Sequence, residues 1–267
     1  MTDQTRILLV GCGKMGSALL NGWLDQGTPA GHLTIVEPMS PQLPDDVTVH
    51  AEASAFGSDF QPSVVVFAVK PQSMDDVLPA YAKYAGPETV FLSIAAGKPI
   101  GYFAATLTGG AIVRAMPNTP AAVGRGITVL CANERVSAAQ KSVCTQLMES
   151  VGEVAWIDDE ALMDAVTGLS GSGPAYVFHL VEAMAAAGTA AGLTADLAMQ
   201  LARATVAGSG ELLRQSSDPA GTLRENVTSP GGTTAAALEV LMAPEGLTRL
   251  MTEAIGRATE RSRELAQ

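Results

Sequence analysis

Ile7-Leu8-Leu9-Val10-Gly11-Cys12-Gly13-Lys14-Met15-Gly16 decides the fold. Four apolar residues run into G-x-G-x-x-G, and residues 14–26 then carry a helical pattern. Strand, glycine turn and helix in that order are the context that gives the hexapeptide meaning. The first glycine allows a tight turn, the second lets backbone approach a pyrophosphate, and the third lets the helix pack closely on the strand. A second β-rich run, 33–37, ends in Glu37, about 20 residues beyond the last glycine, where the ribose hydroxyls of an adenosine would donate to a carboxylate. Glu37 is read either as that acceptor or as the surface end of a strand. A 2′-phosphate beside it would be repelled, and no Lys or Arg lies between Lys14 and Lys70 to offset the charge. The cofactor expected is therefore NAD(P)H, with NADH favoured over NADPH.

Outward from this segment the same rhythm continues. Further short β-rich runs at 64–68, 89–94, 111–116, 127–131 and 154–157 alternate with helical stretches at 73–84, 100–107 and 137–150. Wholly apolar runs such as Val64-Val65-Val66-Phe67-Ala68 suit a parallel sheet covered on both faces. The fold class expected is α/β, a doubly wound Rossmann-like sheet over 1–158. Beyond it the strand signal stops, and helices are expected at 160–168, 174–191, 195–214, 222–227, 233–242 and 245–265. Residues 183–191 have almost no polar face, which suits helices packed on several sides. Residues 159–267 are thus expected to form an all-helical domain buried in a homo-oligomer.

Composition narrows the function classes. The chain of 267 residues is 47% hydrophobic and 16% charged, and its formal net charge of −11 repels phosphate backbones and anionic lipid. Neither nucleic acid nor a membrane is an expected partner. Residues 1–6 show no basic start followed by an apolar run, and no apolar stretch reaches membrane-spanning length, so a soluble cytoplasmic protein is expected. Cys12, Cys131 and Cys144 are an odd number at scattered spacing, fitting neither a disulfide framework nor a metal site. His179, in an apolar helical stretch, is read as a core or interface histidine.

Several loops follow the carboxyl ends of the strands, where an open α/β sheet binds its ligands. These are Ala68-Val69-Lys70-Pro71, Ser93-Ile94-Ala95-Ala96-Gly97 and the proline-fixed Arg114-Ala115-Met116-Pro117-Asn118-Thr119-Pro120. Lys70 is read either as a solvated charge or as a cofactor contact, and Asn118 either as a partner for the nicotinamide amide or as a turn residue. Far along the chain, Ser229-Pro230-Gly231-Gly232-Thr233-Thr234 offers free backbone N–H groups at a helix start. It suits a substrate carboxylate, or is only a cap and a turn.

Segments 11–16, 68–72, 93–97, 114–120, 168–176 and 227–234 occur in the order seen in pyrroline-5-carboxylate reductases, and the chain resembles that family over nearly its whole length. Gly168-Leu169-Ser170-Gly171-Ser172-Gly173-Pro174-Ala175-Tyr176 and 229–234 are the most specific parts. The resemblance implies reduction of the C=N bond of Δ1-pyrroline-5-carboxylate to L-proline by NADPH or NADH, the last step of proline biosynthesis. It implies a Rossmann domain followed by a helical domain that interlocks into a homodimer, often assembled into a decamer, with the site at the dimer interface. It places the cofactor on Val10, Gly11, Cys12, Gly13, Lys14, Met15 and Gly16, on Ala68, Val69, Lys70 and Pro71, and on Ile94, Ala95 and Ala96. It places the substrate, a small cyclic imine carboxylate, on Ser229, Gly231, Gly232, Thr233 and Thr234. Thr234 is assigned the catalytic position, its hydroxyl orienting the ring nitrogen. Two departures are Glu52 and Ala53, where many members carry Asn, and a segment 218–223 that is one residue longer than usual.

Two other kinds of protein share parts of this pattern. β-Hydroxyacid dehydrogenases share the glycine spacing of Gly168, Gly171 and Gly173, but their lysine position is Val177 here, their asparagine position is Val181, and no lysine follows Lys141. A nonenzymatic nucleotide sensor would need the glycine loop and have no use for 229–234.

Overall fold

The computed structural model describes residues 5–39, 46–56 and 60–266. Part of the leader reading rests on residues 1–4, which lie outside them. Among the described residues one sheet holds β1 (Ile7–Val10), β2 (Leu33–Val36), β3 (Thr48–His50), β4 (Val64–Phe67), β5 (Val90–Ser93), β6 (Ala111–Met116), β7 (Gly126–Ala132) and β8 (Gly152–Trp156). Their spatial order is β3-β2-β1-β4-β5-β6-β7-β8. β1 pairs in parallel with β2 and β4, Ile7 lying opposite both Leu33 and Val64. The order reverses at β1, so a crevice opens at its carboxyl end.

Successive side chains of β1 feed different cores. Ile7 and Leu9 enter one, Leu8 and Val10 the other, and in β4 Val64 and Val66 separate likewise from Val65 and Phe67. A strand buried on both faces has no polar position, which is why these runs are wholly apolar. The helices of this part are α1 (Lys14–Asp25), α2 (Met74–Val77), α3 (Ile100–Thr106), α4 (Ala138–Glu149) and α5 (Met163–Val166). Leu19, Leu20 and Trp23 of α1 meet Leu147 and Met148 of α4 in the first core. There the Trp23 indole N–H donates to the Leu147 carbonyl at 2.9 Å. Tyr81, Phe91 and Phe103 gather around Phe67 in the second.

The structure departs from the sequence reading in particular places. β3 lies outside the predicted strands, since three residues at a sheet edge, with Thr48 and Val49 exposed, show no period. β7 runs antiparallel to β6, Arg114 opposite Cys131, so the sheet is not parallel throughout. The link from Met116 to Gly126 is shorter than the dozen or so residues of a parallel crossover, and the chain turns straight back. Residues 73–84 are not one helix: a 3₁₀ turn Pro71–Ser73 leads into α2 and then a 3₁₀ segment Leu78–Tyr84. Pro79 brings no N–H, and its ring obstructs the carbonyl four residues back. Residues 160–168 resolve into a 3₁₀ turn Glu160–Leu162, α5 and a π turn Thr167–Gly171.

The chain divides into two compact units, one running to Gly171 and including the residues from Thr259, the other Ser172–Ala258. The expected boundary at 158/159 follows the loss of strands, and β8 does end at Trp156. Packing places the divide later, because Met163 of α5 is buried with Val129 and Cys131 of β7.

In the second unit, α6 (Gly173–Ala190) and α7 (Ala195–Gln215) pack on each other through small residues. Ala185, Ala198 and Ala202 are buried, and a Cβ on Gly188 would lie 3.2 Å from that of Ala198. α8 (Ala220–Asn226), α9 (Thr233–Leu241) and α10 (Leu247–Leu265) follow, the last residues of α10 belonging to the first unit. Large apolar side chains of this unit stay uncovered in the single chain, Phe178 at 64% and Val240 at 71% exposure. His179 is likewise not a core residue of its own chain: its ring is exposed and pairs with Glu182 at 3.1 Å. No helix among the described residues is long and apolar enough to cross a membrane.

Candidate functional site

The crevice at the carboxyl end of β1 is built by the glycine turn. The Gly11 N–H donates to the Val36 carbonyl at 2.8 Å, tying the turn to β2, and Gly11 adopts φ +92°. A Cβ there would lie 2.8 Å from Val69 Cγ1 and 2.9 Å from the Ala68 carbonyl. At Gly16 a Cβ would press on the Gly11 carbonyl oxygen. Gly11 and Gly16 therefore serve the close approach of turn, helix and β4. Gly13 differs: a Cβ there would meet nothing within 4 Å, and its residue opens α1 with no side-chain cap on the helix's first amides.

Gly13 lines a cavity of about 670 Å³ with Val10, Gly11, Glu37, Ala68, Val69 and Lys70. Seven of the predicted cofactor residues thus meet at one opening. Glu37 is held there by backbone: Oε2 accepts from the Cys12 N–H at 2.7 Å and Oε1 from the Met39 N–H at 3.1 Å, while the Glu37 N–H donates to the His50 carbonyl. The Cys12 thiol is buried beneath the turn, 3.5 Å from the Ser17 hydroxyl. Burial pushes that thiol up; the Ser17 hydrogen bond opposes the rise and the Glu37 charge adds to it. The thiol is neutral, and packing accounts for it.

Open space at Gly13, uncapped amides at a helix start and a fixed carboxylate beyond them suit the pyrophosphate and adenosine ribose of a dinucleotide. The residues present fit a nicotinamide cofactor. The cavity also takes in residues that sequence reasoning did not assign: Met39, Ala51, Glu52, Ala53, Ser54, Ser73, Asp76, Val77, Ala80 and Tyr81. Glu52 and Ala53, singled out by the resemblance only as departures, leave the carboxyl end of β3 together with Ala51 and Ser54. Lys14 and Met15 stand on the first turn of α1 and do not line this cavity, and Pro71 begins the 3₁₀ turn after Lys70.

Ile94, Ala95 and Ala96 follow the neighbouring strand. The Ile94 N–H donates to the Phe67 carbonyl at 3.1 Å and the Ala95 N–H to the Ser93 hydroxyl at 3.2 Å. Asn118 is spent on the fold: its amide oxygen accepts from the Ile127 N–H at 3.0 Å, and its amide nitrogen donates to the Ser170 carbonyl at 3.2 Å. It shapes the turn between β6 and β7, the second of its two readings.

In the helical unit, 229–234 form the turn into α9. The Gly232 N–H closes onto the Ser229 carbonyl at 3.0 Å, and Gly232 caps the helix without a side-chain bond. A Cβ on Gly232 would lie 3.1 Å from that carbonyl oxygen, so the turn is tight. Thr234 is half-buried, on the first turn of α9. The residues that the sequence assigns to the substrate are thereby gathered on one turn.

Residues 160–265 match the family described as pyrroline-5-carboxylate reductase dimerisation, and residues 6–97 match NADP oxidoreductase, coenzyme F420-dependent. The chain is 41% identical to the pyrroline-5-carboxylate reductase of Pseudomonas aeruginosa over 98% of its length and 97% of that protein. Among solved structures it is similar to a pyrroline-5-carboxylate reductase from Coxiella burnetii, with TM-score 0.90, 31% identity, and 99% and 100% of the two chains covered. It is similar also to the Plasmodium falciparum pyrroline carboxylate reductase with NADP bound, with TM-score 0.83, 29% identity and all of both chains covered.

Proposed function

Because the chain belongs to the pyrroline-5-carboxylate reductase family, we propose how its own residues divide the work of reducing Δ1-pyrroline-5-carboxylate to proline. The protein is an NAD(P)H-dependent oxidoreductase acting on a C=N bond. When bound, the reduced nicotinamide supplies the hydride, and the protein supplies position.

Gly13 and the first amides of α1 hold the pyrophosphate, with Gly11 and Gly16 keeping the turn in shape. Glu37 accepts the ribose hydroxyls through lone pairs left over after its two backbone bonds. Lys70 and Val69 border the cofactor on the β4 side, and Ile94, Ala95 and Ala96 border its nicotinamide half. NADH is the preferred cofactor. The support is the acid of the cavity: Glu37, Glu52 and Asp76 line it against one cation, Lys70, and a 2′-phosphate brought among them meets like charge.

Backbone amides around Ser229, Gly231, Gly232 and Thr233 hold the substrate carboxylate, and the Thr234 hydroxyl faces the ring nitrogen. An imine whose nitrogen is already protonated accepts hydride without a His–Asp pair. Thr234 therefore orients the imine and holds its proton in place. The observation that carries this assignment is the turn itself, tight at Gly232 and uncapped by any side chain.

The enzyme works as a homodimer in the cytoplasm. The dimer is supported by the dimerisation match and the uncovered apolar side chains of α6, α7 and α9; assembly to a decamer is proposed on the resemblance alone. The reading is tested with NADH deuterated at its transferable position. Deuterium on proline Cδ, the former imine carbon and not the carbon that bears the carboxylate, supports it, and proline formed without label there overturns the direct transfer.

A further inference from the structure

The end of α10 touches the loop between β5 and α3. Ser262 is the one residue of α10 that is buried among the described residues, at 7% exposure, and its hydroxyl donates to Asp164 Oδ1 of α5 at 2.7 Å. One turn later the backbone of Leu265 meets Gly97: a Cβ built on Gly97, where φ is +74°, would lie 3.4 Å from the Leu265 carbonyl oxygen. The ends of the loop are fixed by other means. Upstream, Ile94 and Ala95 are bonded to Phe67 and Ser93. Downstream, Glu160 Oε1 accepts from the Ile100 N–H at 2.8 Å and pairs with the buried Arg114 guanidinium at 2.9 Å. The tip has one long backbone bond of its own, Lys98 N–H to the Ala95 carbonyl at 3.5 Å.

We infer that residues 259–266 brace the tip of the 94–99 loop, and that Ser262 is a positioning residue for the cofactor. Ser262 is not among the residues that line the cavity beside Gly13 and Glu37. It fixes the last turn of α10 on α5, Leu265 then stands against Gly97, and Ala95 and Ala96 stay where the nicotinamide half needs them. Ser262 is itself buried and its hydroxyl is bonded to a half-buried carboxylate, so removing the hydroxyl loses a charge-assisted bond that solvent replaces only in part. The inference rests on the reading that Ile94, Ala95 and Ala96 border the cofactor.

The test is NADH binding by calorimetry, with steady-state kinetics alongside, on Ser262→Ala, Ser262→Thr, a chain ending at Glu264, and Ala96→Asp. The brace requires the shortened chain to bind NADH about 5- to 20-fold more weakly, and Ser262→Ala several-fold more weakly. Ser262→Thr should restore the affinity. KM for pyrroline-5-carboxylate and kcat at saturating NADH should stay within about twofold. Wild-type NADH affinity in the shortened chain and in Ser262→Ala, with Ala96→Asp weakened, would overturn the brace and leave the loop reading standing. Wild-type affinity in Ala96→Asp as well would overturn both. If the shortened chain does not fold, Ser262→Ala against Ser262→Thr decides.

Discussion

The backbone N–H of Cys12, inside the glycine turn, donates to Oε2 of Glu37 at the end of β2 across 2.7 Å. With the Met39 N–H on the other oxygen, this bond fixes a negative charge at the mouth of the cavity. The carboxylate thus closes the turn and sets the charge that a ribose meets. Glu37→Gln keeps an acceptor oxygen and removes the charge. The ratio of kcat/KM for NADPH to that for NADH should rise about tenfold, as one like-charge contact relieved at the surface of a site would give. An unchanged ratio from parallel assays would take Glu37 out of cofactor selection.

Glu52 lines the same cavity, exposed, and among the described residues no backbone N–H holds its carboxylate as two hold that of Glu37. Glu52→Gln should move the same ratio in the same direction by about two- to fivefold, less because an exposed charge is screened. A double variant whose ratio is no higher than that of Glu37→Gln would contradict a separate contribution.

Gly16 and Gly13 of the motif separate by experiment. Gly16→Ala drives a Cβ into the Gly11 carbonyl and should cost about 1–3 kcal/mol of stability in denaturant melts. Gly13→Ala meets no protein atom, so its melt should match wild type within about 0.5 kcal/mol while NADH affinity drops at least about tenfold. Wild-type NADH affinity in Gly13→Ala would mean that no phosphate passes there.

Thr234→Ala should lower kcat/KM for pyrroline-5-carboxylate by roughly 10- to 1,000-fold, the scale of one hydrogen bond aligned in the transition state. NADH affinity should be unaffected. Wild-type kinetics would remove Thr234 from the mechanism.

The nucleotide half of the site was legible because its signals are local. Glycines that must lie close to neighbouring backbone, and a carboxylate at a strand end, are set by a few adjacent residues. What stayed hidden depends on distant partners. β3 is too short to carry a period, and β7 turns back because of the length of a connection rather than its composition. Asn118 reads in sequence either as a nicotinamide partner or as a turn residue, and what decides for the turn is a pair of bonds, to Ile127 and to Ser170 some 50 residues on. The buried Ser262 sits in a helix of polar composition, and nothing local sets it apart from its neighbours.

Burial pushes the Cys144 thiol from the ordinary 9.0 up to about 12, so it is protonated in the fold and ionises more readily unfolded. Its stabilising contribution is complete below pH 9 and is lost as pH rises toward 12. Thermal midpoints should fall over that window, and more gently in Cys144→Ala than in wild type. Equal slopes would show that other groups govern the alkaline limb.

Phe178 on α6 is 64% exposed in the single chain. The proposed dimer requires Phe178 to be covered by the partner, so sedimentation should give a dimer for wild type and monomer for Phe178→Asp at low micromolar concentration. A variant that stays dimeric would move the interface elsewhere.

The most direct measurement mixes purified protein with pyrroline-5-carboxylate and follows loss of reduced-nicotinamide absorbance, with NADH and NADPH in parallel. Turnover with proline as product and a higher kcat/KM for NADH is the expected result. A folded protein that binds NADH and turns over with neither cofactor would contradict the reductase reading, and turnover that favours NADPH would contradict the role given to the acidic cavity.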